Sequence, residues 1–202
     1  MYSLDDGKYL VRLARHAVEE YLATGKKIMP IDVPDPKLLE KSGVFVTLEK
    51  VTPRGRSLRG CIGYPLPHLP LAEATVDSAL SAAFNDPRFP PVERKELDTI
   101  VFEVSILTPP VLVNAESPKD LPSQIKVGRD GLIVESGYYS GLLLPQVPVE
   151  YGWDEETFLS ECCMKAGLPP DAWLSRKTTL YRFTAEIFAE SSPRGEVVQK
   201  SL

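Results

Sequence analysis

The feature that most constrains the fold is a set of alternating, strand-like segments joined by tight-turn signals. Residues 44–49 alternate between aliphatic and other side chains, and Thr52-Pro53-Arg54-Gly55 follows as a turn before a second strand at 57–63. A similar signal, Gly128-Arg129-Asp130-Gly131, stands between strand-like residues 124–127 and 132–135. Strands joined this closely pair in an antiparallel manner, so the sequence predicts hairpins.

Helical periodicity separates these hairpins from later strands. Apolar residues recur at helical spacing in 10–22, which Gly25 is predicted to end, in 71–84 and in 158–166. Strand-like alternation returns at 100–106 and at 181–187. Each half is therefore predicted as a hairpin, a helix and a returning strand.

This order of elements predicts an α+β fold in a single domain, residues 1-202. The approximate halves, 1-110 and 111-202, are predicted to form two pseudo-repeated subdomains around a largely antiparallel sheet with flanking helices. We expect a cleft between the two subdomains, since such junctions are common ligand sites.

Composition argues against several classes of protein. The chain has 23 Lys and Arg residues against 28 Asp and Glu residues, and the net charge of −5 argues against a dedicated nucleic-acid binder. No apolar run approaches the ~20 residues of a membrane span, and no secretory signal is visible. We therefore expect a cytoplasmic protein without membrane association.

Cysteine and histidine usage predicts neither a disulfide framework nor a metal site. The three cysteines include the adjacent Cys162 and Cys163, no CxxC pair is present, and the chain has two histidines. The adjacent cysteines lie on the predicted helix at 158–166, where we interpret them as core residues. We predict no cofactor.

One strand segment carries the residues most suited to chemistry. It reads Leu58-Arg59-Gly60-Cys61-Ile62-Gly63. Because side chains alternate along a strand, the even-numbered positions, beginning with Leu58, are predicted to face the core, and Arg59, Cys61 and Gly63 to share the opposite face. A cation near a thiol favours the thiolate, and the glycines leave the backbone open to a ligand. The alternatives are a packed cysteine and glycines that mark a bulge or a tight crossing.

The strand at 100–106 offers a carboxylate. Its apolar residues are predicted to face the core, which places Glu103 and Ser105 together on the other face. A buried Glu needs a partner, and Arg59 is one candidate, so Glu103 is interpreted either as a counter-ion or as a general base. His68 lies in a proline-rich loop after Cys61, but we do not predict a Cys–His pair because a loop histidine is commonly only solvated.

Positive charge is concentrated around the hexapeptide. From Lys50 to Ala72 the sequence has no acidic residue, and Lys50, Arg54, Arg56 and Arg59 together carry +4. Such a cluster suits a phosphate or carboxylate ligand. Arg54 and Arg56 also fit the solvated tip of a hairpin.

Several segments resemble the AMMECR family, whose signature is the hexapeptide. The resemblance continues in order through nearly the whole chain, in Asp86-Pro87-Arg88-Phe89, Glu103-Val104-Ser105-Ile106-Leu107-Thr108, Gly128-Arg129-Asp130-Gly131-Leu132, Leu144-Pro145-Gln146-Val147 and Lys165-Ala166-Gly167-Leu168. It is strongest to the stand-alone archaeal members. The resemblance implies an α+β arrangement of two subdomains about a largely antiparallel sheet with a cleft between them.

The resemblance implies site residues and a range of functions. Bacterial relatives are fused to Memo-like and radical-SAM domains, which suggests an enzymatic or modification pathway, and the human relative is discussed as a regulator of transcription, translation or RNA handling. Cys61 and Glu103 become the catalytic candidates. The substrate-binding candidates are Arg59, Gly60, Gly63, Asp86, Arg88, Ser105 and Gln146.

Three hypotheses follow from the sequence. In the first, Cys61 is the nucleophile of an enzyme acting on a small anionic or acyl substrate held by Arg59, with Glu103 or a water moving the proton. In the second, the chain is a non-catalytic binding module for a protein, nucleotide or RNA partner. A protein or a small anion is the preferred partner, because the acidic net charge makes nucleic acid the poorer one. In the third, the domain is a scaffold in which Cys61 is only packed.

Overall fold

The computed structural model describes residues 1–200 and confirms an α+β fold. Its helices are α1 (Leu4–Thr24), α2 (Leu71–Phe84), α3 (Leu121–Gln124), α4 (Gln146–Tyr151) and α5 (Glu155–Lys165). Its strands are β1 (Gly43–Thr52), β2 (Gly55–Tyr64), β3 (Ile100–Leu107), β4 (Val111–Leu112), β5 (Gly131–Ser136), β6 (Tyr139–Leu143), β7 (Thr179–Phe183), β8 (Ala185–Glu190) and β9 (Val197–Lys200). No helix among the described residues has the length and apolar character needed to cross a membrane.

Helix α1 ends at the glycine that the sequence predicts. Its first turn is closed by a capping box, in which the Ser3 hydroxyl accepts the N–H of Asp6 and the Asp6 carboxylate accepts the N–H of Ser3. Gly25 follows the last turn with a φ of 70°, a left-handed conformation that favours glycine. Both ends of the helix are thus fixed by local sequence.

Among the described residues, the first structural unit comprises 1–107 and 186–200. It contains a five-stranded sheet in the order β2-β1-β3-β8-β9, in which β1 pairs antiparallel with both β2 and β3. Helices α1 and α2 pack on one face of β1 and β3, where Val46, Leu48, Phe102 and Val104 are fully buried. The opposite face of β1, β2 and β3, called the outer face below, carries the candidate site.

The second structural unit comprises residues 108–185 and has a core of its own. Its four-stranded antiparallel sheet has the order β4-β7-β5-β6, and α5 packs on β5 and β6. Cys162 and Cys163 are fully buried in this core beside Phe158 and Trp173, which confirms their predicted packing role.

The two units share one arrangement of elements. In the first, β1 pairs with both its hairpin partner β2 and with β3, the strand that returns after α2. In the second, β5 pairs with its hairpin partner β6 and with β7, which returns after α5. The subdomain limits drawn from sequence and the cleft stay predictions.

Two predictions in the second half of the chain are wrong. Gly128–Gly131 is not a hairpin turn, because residues 121–124 are helical and the Asp130 carboxylate accepts the N–H of Lys126 within a local turn. The hairpin lies one strand later, where Gly137, with a φ of 61°, lies between β5 and β6. The predicted strand at 181–187 is divided between β7 and β8, which belong to different sheets.

A buried ion pair joins α1 to the sheet of the first unit. Arg15 Nε and Nη2 lie 2.6 Å from the two carboxylate oxygens of Glu190, and the carboxylate also accepts the N–H of Phe102 at 3.1 Å. The remaining donors of Arg15 reach the carbonyl oxygens of Leu97 and Ile100. Both side chains are buried, and Glu190 is the carboxylate that Arg15 contacts at hydrogen-bond distance, while Glu19 lies farther away, at 3.7 Å from Nη1.

Removing one member of this pair should destabilise the protein strongly. We expect Glu190→Ala to lower the free energy of unfolding by about 3–5 kcal/mol, because it leaves the buried Arg15 charge with only the more distant Glu19 as a carboxylate neighbour. Lys95→Ala, which breaks an exposed ion pair with Glu93, should change it by less than about 1 kcal/mol. Urea unfolding of the three proteins measures both effects, and similar losses in both variants would contradict the expectation.

Candidate functional site

The hexapeptide lies on β2, the edge strand of the five-stranded sheet, and contains a β-bulge. Glu49 pairs with Leu58, but Leu48 pairs with Gly60, so Arg59 is an extra residue with no partner position on β1. The bulge interrupts the strict alternation of side chains. The prediction that Leu58 faces the core is therefore wrong, and its side chain is 43% exposed.

Beyond the bulge, Cys61 lies on the outer face in a row of three side chains. Thr47 on β1 is directly opposite both Cys61 on β2 and Glu103 on β3, and directly opposed residues share a face. The Thr47 hydroxyl lies 3.3 Å from Cys61 Sγ and donates to it. Cys61 is half-buried and Glu103 is buried. We call Cys61, Thr47 and Glu103 the thiol row.

A second row lies next to the thiol row on the outer face. Phe45 is directly opposite Gly63 on one side and Ser105 on the other. The Ser105 hydroxyl is fully buried, and it has no hydrogen-bond partner within the described residues. This row confirms the prediction that Ser105 and Glu103 point to the same side of β3.

Asp86 and Arg88, in the loop after α2, hold the backbone of Cys61. The N–H of Cys61 donates to Asp86 Oδ2 at 2.9 Å, and Arg88 Nη2 donates to the Cys61 carbonyl oxygen at 3.3 Å. Arg88 also pairs with Asp86, with Nη2 2.7 Å from Oδ2. Asp86 is buried and Arg88 is half-exposed. We call these two residues the edge clamp, because they form hydrogen bonds with backbone N–H and C=O groups that point outward from an edge strand.

The acid–base properties of the site follow from these contacts. Burial raises the pKa of the Cys61 thiol, the Thr47 hydrogen bond and the Arg88 charge lower it, and Glu103 and Asp86 raise it. The net shift is upward, contrary to the expectation of a stabilised thiolate. The pKa of Asp86 is lowered to about 2, chiefly by its hydrogen bonds with Arg88.

Arg59 is directed to Glu96 rather than to the thiol row. Its Nε and Nη2 lie 3.2 and 2.9 Å from the Glu96 carboxylate oxygens, and these bonds lower the pKa of Glu96 to about 2. Arg59, one candidate partner for Glu103 from sequence, does not take that role, since Glu103 pairs with Lys200 on β9. Buried Arg59 Nη1 has no hydrogen-bond partner among residues 1–200.

Internal carboxylates neutralise much of the predicted basic cluster. Lys50 lies 3.4 Å from the Glu96 that also binds Arg59, and Arg56 lies 3.2 Å from Glu49. Arg56 also donates to the carbonyl oxygen of Ser191 at 2.7 Å. The cluster therefore contributes largely to the internal contacts of the sheet edge.

The glycines of the hexapeptide are required by packing. A Cβ on Gly60 would lie 2.1 Å from the carbonyl oxygen of Ala82, so α2 approaches β2 closely at this point. A Cβ on Gly63 would lie 2.2 Å from the carbonyl oxygen of Val44 and against the Phe45 ring. These contacts support the alternative interpretation, in which the strand glycines permit close packing.

Two further predicted residues lie apart from these contacts. Gln146 begins α4 in the second unit, and its buried Oε1 has no hydrogen-bond partner within the described part of the chain. His68 is exposed in the loop after β2, and among residues 1–200 no hydrogen bond joins it to Cys61. Within the same residues, no group of three or more potential ligands could hold a metal ion.

Sequence reasoning missed Thr47, Glu96 and Lys200. Thr47 alternates with the apolar residues of β1, which is a signal for the outer face, but its pairing with Cys61 depends on the bulge. Glu96 has no signal that distinguishes it from other surface acids. Lys200 lies near the end of the chain, and only the pairing of β8 with β9 brings it to the sheet.

These features define an α+β protein with a half-buried thiol held on the edge strand of a five-stranded sheet. The AMMECR1 family model matches residues 11–188, and the chain belongs to this family. A protein of Pyrococcus abyssi is 61% identical over 97% of this chain and 96% of its own length. A protein of Methanocaldococcus jannaschii is 55% identical over 100% of this chain and 98% of its own length.

A solved structure of a related protein has the same fold. The crystal structure of uncharacterized protein PH0010 from Pyrococcus horikoshii superposes with a TM-score of 0.94, at 60% sequence identity and over 98% of both chains. The family membership predicted from the hexapeptide and the segments that follow it is confirmed.

The edge clamp should make stability depend on acid pH. Because the pKa of Asp86 is about 2 in the folded protein, its contribution is present above the ordinary carboxyl pKa and is lost as pH falls toward 2. Between about pH 5 and pH 2, we expect the free energy of unfolding to fall by about 1–2 kcal/mol less in Asp86→Asn than in the wild type. Urea unfolding across this range, with exposed Asp171→Asn as the matched control, measures the difference. Equal pH dependence in Asp86→Asn and wild type would contradict it.

Proposed function

We propose that this AMMECR1-family protein is a cysteine-dependent enzyme that acts on a small anionic acyl substrate through Cys61. The observation that carries the proposal is the thiol row, in which Thr47 lies directly between Cys61 and Glu103 on adjacent strands. This is an arrangement of nucleophile, hydroxyl relay and carboxylate on three rigid elements. Its backbone support at Cys61 comes from the edge clamp.

The nucleophile in this proposal needs a base. Since burial raises the pKa of the Cys61 thiol, the sulfur carries its proton at neutral pH. Glu103 is the base and Thr47 is the relay: its hydroxyl, which donates to Cys61 Sγ in the resting protein, turns to accept the thiol proton and gives its own proton to Glu103. Lys200 pairs with Glu103 in the resting protein and must share this carboxylate with the incoming proton.

Arg88 is the group that attracts the substrate anion. Its guanidinium lowers the pKa of Cys61, so its charge acts at the sulfur, and its half-exposed side chain is accessible to a ligand. Arg59, the residue expected from sequence, is engaged by Glu96. It therefore supports the bulge, and Arg88 takes its place in the substrate-binding role.

The proposed reaction has two steps. Sulfur attacks the acyl carbon, the carbon–sulfur bond forms, the bond to the leaving group breaks, and the thiol proton moves through Thr47 to Glu103 and then to the leaving group. Water then attacks the thioester, which releases the carboxylic acid and returns a proton to sulfur. No oxidant or reductant is required.

Alkylation of Cys61 tests the anion-binding part of this proposal. We expect Cys61 to prefer iodoacetate over iodoacetamide by about tenfold relative to free cysteine, because Arg88 attracts the carboxylate. Arg88→Gln should abolish the preference, and Arg54→Gln, at the hairpin tip, should retain it. Peptide mapping assigns the label, and buried Cys162 and Cys163 should react only after unfolding. An unlabelled Cys61 in the native protein, or a preference unchanged by Arg88→Gln, would support a binding or scaffold function instead.

The role of Glu103 can be tested by whether Glu103→Gln slows or accelerates the alkylation of Cys61. If Glu103 takes the thiol proton, Glu103→Gln should slow iodoacetamide labelling of Cys61 at pH 7 at least several-fold, and Thr47→Val should slow it as well. If Glu103 acts only through its negative charge, Glu103→Gln should lower the pKa of Cys61 and accelerate labelling. Circular dichroism verifies that each variant is folded. Faster labelling of Glu103→Gln rejects the relay.

A further inference from the structure

We propose that a groove along α1 binds an amphiphile with a carboxylate head group and an apolar tail. The groove lies between the helix and the segment that follows it, residues 28–31, and has a volume of about 580 Å³. This size is within the range of ~300–1,000 Å³ typical of small-molecule sites. The groove shares no residue with the thiol row or the edge clamp, so this inference goes beyond the proposed enzyme.

One wall of the groove is apolar and exposed. Ile28, Met29 and Ile31 line it, and Met29 and Ile31 are 61% and 74% exposed. Leu13 extends the apolar surface on the helix. Large aliphatic side chains are costly to leave in water, and a tail that covered them would gain about 25 cal/mol per Å² of apolar surface buried.

A hydrogen bond fixes this wall against the helix. The Tyr9 hydroxyl donates to the carbonyl oxygen of Ile31 at 3.1 Å, and Tyr9 itself lines the groove. Pro30 restricts the backbone between the two exposed aliphatic residues. The groove is therefore largely formed before a ligand arrives, which lowers the entropic cost of binding.

The other side of the groove is a row of basic side chains. Lys8, Arg12 and His16 recur every four residues, so they lie along one face of α1. Lys8 pairs with Asp5 at 3.2 Å, but no carboxylate within residues 1–200 pairs with Arg12 or His16. The Arg12 guanidinium is thus available for bidentate binding of a carboxylate.

The charges at the two ends of the groove set the direction of the ligand. Asp5 and Lys8 line the end near Tyr9 and pair with one another. Burial raises the pKa of Tyr9, and Asp32 lies near enough for its charge to raise it further, so no unpaired cation of the described chain is available at this end. Arg12 and His16 lie toward the other end of the helical row. We therefore assign the head group to Arg12 and His16 and the tail to the surface of Met29 and Ile31.

Titration of the full chain with sodium decanoate, followed by amide NMR shifts, tests the proposal. Saturable shift changes should be confined to residues of α1 and 28–31. Arg12→Gln should weaken binding about tenfold, and Met29→Ser should weaken it several-fold. Arg54→Gln and Met164→Ser alter another exposed arginine and a half-exposed methionine elsewhere, and both should bind as wild type does.

Any one of four outcomes would overturn the proposal. One is equal binding of neutral 1,2-decanediol, which would mean that the cations do not contribute. Another is equal weakening in Arg12→Gln and Arg54→Gln, or shift changes outside the groove. The last is failure of decanoate to bind. If a synthetic amphipathic helix that carries Glu on one face and Leu on the other then binds instead, the groove is a protein-docking surface.

Discussion

A single extra residue in one strand determines which side chains of this protein can act together. Without the bulge at Arg59, continuation of the hairpin pairing would place Cys61 opposite Val46, whose side chain is in the core. With the bulge, the pairing moves by one position and Cys61 lies opposite Thr47. A one-residue shift exchanges the two faces of a strand. The proposed chemistry of the thiol, its hydroxyl neighbour and its carboxylate therefore depends on a local irregularity of the backbone.

The buried ion pairs of the first unit stabilise its fold. Arg15 and Glu190 satisfy one another inside the core, and the same carboxylate completes a backbone hydrogen bond of β3. Arg59 and Glu96 connect the bulge to the segment that precedes β3. Because these cations are already paired, a positive cluster in the sequence is a poor guide to an anion site. Arg88, whose side chain is half-exposed, is a better candidate despite its salt bridge.

Regular periodicity made much of the fold predictable from sequence. The helix ending at Gly25, the first hairpin and β3 follow from residue spacing and turn residues, which act locally. The misplaced hairpin at Gly128–Gly131 shows the limit, since an Asp–Gly signal also suits a side-chain-capped turn. Alternation along single strands predicts the outer-face positions of Cys61 and Glu103, although the bulge at Arg59 makes the same argument fail for Leu58. The contacts of Thr47 and Lys200 depend on register and strand order, which no local pattern specifies.

The edge clamp has a further consequence for association between molecules. Strand β2 is the last strand on its side of the sheet, and an uncovered edge strand offers backbone groups to which another chain can add as an extra strand. Asp86 and Arg88 already occupy the N–H and C=O of Cys61, and the bulge at Arg59 makes the neighbouring edge irregular. The residues that hold the thiol in place thus also discourage β-sheet extension into aggregates.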